Sequence, residues 1–291
     1  SITLADGTNG GLASNYSIST GQTTAANVTA KPLSVSGITT SNKTYDGNTV
    51  ATLNTGGVTY TGLIGGDVFN GTYTGAFSDK NVGTGKTVTI TPSYTGADVS
   101  NYSVTDHSTI TADVAVKALT ATASAANKVY DGTTTATTTL TFTGLVGSET
   151  LGQTVGSTFN NKNVGTGKTV TVNSITLANG SNGGLAANYS ISPGQTTTAN
   201  VTAKALTVSG ITASNKTYDA NTTATLNAGS VAYTGKIDGD DFNGTYTGAF
   251  SDKNVGTGKT VTITPSYTGA DVGNYSVTDH ATVTANITAQ A

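Results

Sequence analysis

The chain has 291 residues, 10 % of them charged, with a net charge of −3 and no cysteine, which excludes disulfides, thiolate metal sites and thiol catalysis. All thirteen basic residues are lysines, too few for the basic surface that nucleic acid requires, and no apolar run approaches the length of a membrane span. Sixty-three threonines and 37 glycines against 4 prolines, with only His107 and His280 to titrate near neutrality, describe an all-β chain with little acid–base chemistry.

Repetition organises the sequence. Residues 1–30 match 174–203 closely (GGLASNYSIS against GGLAANYSIS) and are read as the C-terminal part of a truncated B-type repeat. Residues 31–116 form repeat A1, 117–203 repeat B and 204–291 repeat A2. A1 and A2 share the stretch FNGTYTGAFSDKNVGTGKTVTITPSYTGADV verbatim, and B is a diverged relative. Each repeat opens with Lys-x-Leu, at Lys31, Lys117 and Lys204, which sets a period of 86 and then 87 residues. Such a period is too long for a solenoid coil and suits a small domain with one thin core. A chain beginning in mid-repeat is most simply a slice of a longer array. The joints VTAKPL, VAVKAL and VTAKAL contain no flexible linker, so neighbouring repeats are expected to form an elongated, fairly stiff rod.

Within a repeat, alternation predicts six or seven strands, at 33–37, 58–63, 69–77, 86–94 and across 101–114, with a bulge or break near Asp106–His107. One helical turn is expected just before Tyr102 and Tyr189. Three landmarks recur. The first is NKxYD, containing Tyr45 and Asp46, Tyr130 and Asp131, then Tyr218 and Asp219. The second is KNVGTGK, and the third is NYS, with Tyr16, Tyr102, Tyr189 and Tyr275.

The tyrosines read either as a surface for stacking sugars or, better, as core rings whose hydroxyls reach polar partners at the rim. The aspartates read as turn caps accepting backbone N–H bonds. Ala220 stands where A1 and B carry Gly47 and Gly132, so the position should not demand a left-handed backbone. KNVGTGK lacks the glycine five residues before Gly-Lys that a phosphate loop needs and precedes strand-like sequence; it reads as a glycine hairpin.

Calcium would find candidate donors in Asp238, Asp240 and Asp241, or in the pairs Asp98 with Asp106 and Asp271 with Asp279. The plainer reading is a solvated loop, with no cofactor. Lys43, Lys128 and Lys216 are the candidates for an isopeptide bond, against exposed lysine. Threonine-rich runs such as 135–144 read as a polar outer face.

In this order and spacing, NKxYDG, KNVGTGKxVT and NYS resemble the YDG-type (MBG-related) tandem repeats of filamentous-haemagglutinin-like bacterial surface adhesins, exported by two-partner secretion. The resemblance spans essentially the whole chain, with Ala220 as a departure. It implies a stalk of small β domains, sandwich or β-grasp-like, serving cell adhesion or biofilm from an extracellular position on the bacterial cell surface. It implies no catalytic residue, and no enzyme is expected. The expected partners are neighbouring repeats, with edge-strand contact between residues 1–30 and another copy, and an unidentified host or matrix glycan or protein. The alternative function is a carbohydrate- or protein-binding module acting through exposed tyrosines such as Tyr60 and through the variable loops GLIGGDVF and GKIDGDDF.

Overall fold

A computed structural model describes all 291 residues. The chain is all-β, with only three-residue 3-10 turns besides strands. Its contacts divide it into two compact units, one of Ser1–Lys43 with Asn48–Val114, the other of Thr44–Gly47 with Ala115–Ala291.

Repeat A2 shows the building plan. A three-stranded sheet sets Lys204–Ser209 between Ala232–Thr234 and Tyr275–Thr278, antiparallel to the first and parallel to the second. A five-stranded sheet runs in the order Lys216–Thr217, Thr282–Thr288, Gly256–Thr268, Asn243–Phe250, Thr223–Ala224. Leu206 and Val208 from the first sheet pack in one cluster with Ile263 from the second, so the sheets close as a sandwich. Nothing in the repeat plays the part of the helix that a β-grasp would pack.

The long hairpin pairs Asn243 with Thr268 through to Phe250 with Val261. Its sequence explains its faces. In the run Thr260 to Thr264 the threonines are exposed while Val261 and Ile263 are buried, the period-two pattern of a half-buried strand. The expected strands are present, joined by two-residue strands such as Thr212–Ala213 against Leu226–Asn227 that alternation could not resolve.

The break expected near Asp106–His107 separates Tyr102–Thr105 from Thr109–Ala115. These strands lie in different sheets, so the break is where the chain crosses the sandwich. The helical turns expected before Tyr102 and Tyr189 are the 3-10 turns Val99–Asn101 and Ala186–Asn188, and Val272–Asn274 forms the same turn before Tyr275.

Two expectations change. Residues 1–30 form no strand; their only regular element is the turn Ala13–Asn15. In repeat B the matching strand Thr196–Thr202 pairs with Gly165–Asn179 and Lys128–Val129, and residues 1–30 carry no counterpart of Lys128–Val129. The KNVGTGK glycines do not make the hairpin turn either. They lie at the start of the following strand, in a bulge where the register shifts between Gly256 and Lys259. Gly258, at φ 60°, supplies the left-handed residue of that bulge.

Repeats B and A2 do not keep separate cores. One apolar cluster contains Tyr130, Phe159, Val170 and Val201 of B together with Leu206, Phe242, Ile263 and Tyr275 of A2. Truncating Phe242, buried at the centre of this cluster, should destabilise the second unit by about 3–5 kcal/mol as Phe242→Ala. On the outer face, Thr262→Ala should stay within about 0.5 kcal/mol. Urea denaturation of the two variants measures both.

Candidate functional site

The NKxYD turn is built by its own residues. The Asn127 Oδ1 accepts the amide of Asn200 at 2.7 Å, and the Asn200 side chain accepts the Gly167 amide at 2.8 Å. The first two landmarks therefore meet through one residue of the last strand. Asn215, Asn286 and Gly258 repeat the chain of contacts in A2, and Asn42, Asp113 and Gly85 repeat it in A1.

Asp131 caps the turn as expected, accepting the Thr133 amide at 2.9 Å, and Asp219 accepts the Asn221 amide at 3.2 Å. The lysine is neither exposed nor placed for an isopeptide bond. Lys128 Nζ donates to Asp131 Oδ1 (2.7 Å), Thr133 O (2.8 Å) and Thr135 O (3.0 Å) and lies 5.6 Å from the centre of the Phe159 ring. Lys216 is held the same way over Phe250, and Lys43 over Phe77. The acids beside Lys128 and Lys216 are about half exposed, so no buried acid is available to assist amide formation. The lysine is a clamp across the turn. The Lys216 ammonium, and then the Asn221 amide, hold the Asp219 carboxyl below its usual range.

This clamped turn presents the tyrosine. Tyr130 is 1 % exposed, and its hydroxyl donates to Asp240 of repeat A2 at 2.9 Å, with Asp271 Oδ1 at 3.4 Å. Its ring meets Tyr275 edge to face, with centroids 5.6 Å apart and planes at 79°. Tyr275 donates to the same Asp240 at 2.5 Å and accepts the Ile237 amide at 2.9 Å. Lys162, the first residue of KNVGTGK in B, pairs with Asp240 at 3.1 Å and Asp271 at 2.9 Å. The next two residues follow it across: the Val164 amide donates to Asn274 Oδ1 at 2.9 Å, and Asn274 Nδ2 donates to Asn163 at 3.3 Å. All three landmarks thus converge on one joint, the first two from B and the third from A2.

Thr44–Gly47, part of A1 by sequence, packs within the second unit and repeats the geometry. Tyr45 and Tyr189 donate to the two oxygens of Glu149, each at 2.7 Å, and their rings lie 5.4 Å apart at 81°. Glu149, the chain's one glutamate, stands where A1 and A2 have Asp67 and Asp240. In the first unit the Tyr102 hydroxyl donates to Asp67 at 2.5 Å. Tyr218 is half-buried at the far end of A2, and Tyr16 is exposed.

The glycine of the motif has two jobs. Gly47 and Gly132 have φ of 81° and 76°. A Cβ on Gly47 would come within 2.6 Å of Val146, and one on Gly132 within 3.2 Å of Ile237. Contrary to the sequence expectation, Ala220 also takes the left-handed conformation, with φ 63°, at a strain of about 1 kcal/mol. The clamp of Lys216 fixes the turn, and the alanine follows it.

The candidate calcium pairs do not form. Asp106 takes the Tyr94 hydroxyl and Asp279 that of Tyr267, while Asp98 accepts the Val68 amide. Asp240 and Asp271 come together instead, bridged by Lys162, and Asp241 accepts the Ala270 amide. No cluster of three acidic or histidine side chains is positioned around a cation site. Tyr60, proposed as an exposed contact, is half-buried against Phe69 with its hydroxyl 3.1 Å from that of Tyr73.

Burial first, and the adjoining carboxylate second, push Tyr189 and Tyr275 up to about 12 from 10.0. A hydroxyl harder to ionise in the folded state adds stability below its unfolded value and loses it as pH rises toward the folded one. The urea midpoint of the second unit should therefore fall between pH 10.0 and about 12. On the acid side, Asp271 is held low mainly by Lys162, so its contribution should persist until pH drops below the usual carboxylate range. Tyr130→Phe keeps the ring and removes the donor; we expect a loss of about 1–3 kcal/mol in the same assay.

A family model described as the YDG domain matches residues 29–112, 115–199 and 202–285. The comparison with curated proteins gave no match. Among solved structures, Drosophila N-cadherin EC1-4 is similar at 8 % identity and a TM-score of 0.29, covering 91 % of this chain and 76 % of that one. The I9–I11 tandem of titin is similar at 10 % identity and a TM-score of 0.18, covering 87 % and 99 %. Scores this low lend neither protein's properties to this chain. The three tandem matches, each spanning the tyrosine turn, the glycine bulge and the NYS turn, show that the chain belongs to the YDG domain family.

Proposed function

We propose that this chain is a length-giving stalk segment of a large secreted bacterial adhesin or surface fibre, placed outside the cell, where it carries an adhesive region away from the surface for attachment or biofilm formation. The observation that carries the reading is the core continuous across the boundary between B and A2, sealed by the residues that recur from repeat to repeat. What the repeats copy is the means of joining to the next repeat. A chain selected for an individual ligand would instead repeat the residues of a pocket. The role assigns the segment no catalysis, and its expected partners are neighbouring repeats.

Cysteine-free composition supports the same reading, because a long exported chain must cross the envelope unfolded and then fold without oxidation. Low charge density leaves no strong field to attract unrelated ligands. Edge-to-face rings and a carboxylate shared by two tyrosines resist rotation about the joint more than the short connection Thr202–Lys204 could do alone.

Two measurements test the proposal. In single-molecule stretching, B and A2 should unfold as a coupled pair, and Tyr130→Ala should separate them into two events of lower force. Independent unfolding of B and A2 in the unaltered chain would remove the basis of the stalk reading. Screens against glycans and matrix proteins should show no saturable binding; saturable binding abolished by changing Tyr16, the most exposed tyrosine, would replace the stalk with a binding module.

A further inference from the structure

Repeat B leaves open a strand edge that both A repeats close. In A2 the strand Tyr275–Thr278 runs along Lys204–Ser209 as far as Thr207, and His280 Nδ1 accepts the Ile211 amide at 3.3 Å just beyond it. A1 covers the same edge with Tyr102–Thr105, as far as Ser34. In B the covering strand stops after Tyr189–Ser190, beside Lys117–Ala118. The chain then turns away. Gly194, standing where A1 and A2 have His107 and His280, takes φ 114° and donates to Val172 O of the other sheet at 2.9 Å.

The edge so exposed belongs to Thr120–Ala125, whose one partner strand is Thr138–Thr143. Ala126 donates to Thr137 at 3.0 Å at the end of that ladder, and bonded pairs alternate along an antiparallel ladder. Thr120, Thr122 and Ser124 are therefore the bonded residues, and Ala121 and Ala123 turn their amides and carbonyls to the open side. Between this edge and residues 190–195 lies a cavity of about 510 Å³, lined by Leu119, Ala121, Ile191, Pro193 and Gln195 among others. Ala121 replaces Val35 and Val208 of the A repeats, which leaves room beside the edge. The Gln195 Nε2 donates to Ser192 O at 2.9 Å, but its Oε1 is shut off from solvent without a donor, a state in which few buried acceptors are left.

We propose that this edge is a docking site for an extended, uncharged peptide segment of a partner protein, which adds as a strand beside Thr120–Ala125 and supplies a donor to Gln195. The occupant follows from what the edge presents. Alternating amides and carbonyls at strand spacing match the backbone of an extended peptide, and the A repeats fill the same place with such a strand. Neither Thr120–Ala125 nor residues 190–195 carry a charge. The edge therefore lacks the lysine that commonly guards an exposed strand and has nothing to hold a charged segment.

The register follows as well. Leu119 donates to Ser190, the residue beside Ala118. Continuing that parallel register, the occupant residues beside Thr120 and Thr122 exchange bonds with the edge, and the one beside Ala121 turns its side chain inward. In A1 the same alternation is filled by Thr105, exposed beside Ser34, and Val104, half-buried beside Leu33. The segment recognised thus alternates threonine or serine with valine or isoleucine.

The test uses the whole chain and a capped synthetic peptide with the sequence of residues 87–91, TVTIT. Titration calorimetry should show saturable binding of one peptide per chain, and hydrogen exchange read by NMR should slow at the Ala121 and Ala123 amides. Methylating the peptide's threonine amides, which face the edge, should abolish binding. Methylating its valine and isoleucine amides, which face away, should leave it. Gln195→Met should weaken binding by about tenfold, with a thermal melt to establish that the repeat stays folded. Absence of saturable binding would overturn the proposal, and so would binding indifferent to which amides are methylated, or exchange slowed at other strands instead. A peptide-free chain whose mass rises with concentration while the Ala121 amide becomes protected would give the edge to a second copy and overturn it equally. The site lies in B alone and needs a free strand, which glycans and folded matrix proteins lack, so its failure leaves the stalk reading and its stretching test as they stand.

Discussion

A carboxylate shared by two tyrosines from successive repeats is the interaction on which the second unit depends. Asp240 lies almost wholly out of water. An isolated carboxylate there would cost several kcal/mol in lost hydration. It is tolerated because Tyr275 donates from its own repeat while Tyr130 and Lys162 donate from the preceding one. The rings provide the attraction, since they remove large apolar faces from water. The carboxylate provides the angle, because its donors are satisfied in only one orientation of the two repeats. A joint of apolar residues alone would hold as tightly and turn more freely.

The size of the repeat makes that joint matter. A domain of this length buries only about 60 % of the surface its unfolded chain exposes, and its thin sandwich leaves the end strands short of neighbours. Sharing a core lets B and A2 each complete the other's end. Stability then becomes a sum of repeat and neighbour contributions, as in other tandem arrays. The exposed threonine faces, such as Thr260, Thr262 and Thr264, lie away from the core and favour extended, hydrated strands.

Much of this was legible in the sequence because it is local. Alternation around Val261 and Ile263 identifies the buried face, and the break before Thr109 follows from faces that no single strand can satisfy. The tyrosines were readable as rings with a polar rim, and Asp131 as a cap. What escaped is long-range. Asp240 lies 110 residues from Tyr130, and within IDGDDF it resembles a solvated acid. One signal pointed to it: Asp67 in A1, Glu149 in B and Asp240 in A2 are the acids common to otherwise variable loops. Lys128 escaped because exposure is the ordinary state of lysine, and its cage of carbonyls forms only once the turn has closed. Ala220 misled because a residue's identity was used to infer φ, whereas the clamp around it dictates φ.

That last case explains what the YDG motif is. Its lysine, aspartate and glycine all serve to lift one tyrosine from the end of a repeat, and the glycine is also bare so that the next repeat can approach. A Cβ would meet Val146 at 2.6 Å beside Gly47 but Ile237 at 3.2 Å beside Gly132. The glutamate socket therefore enforces glycine more strictly than the aspartate pair. Alanine is tolerated there at the cost of backbone strain within its own repeat, as Ala220 shows, and beside a neighbouring repeat its Cβ would in addition crowd Val146 or Ile237. Recurrence of the tyrosine and the glycine accordingly reports on the boundary between repeats, whereas the asparagine, lysine and aspartate recur because they build the turn within each repeat.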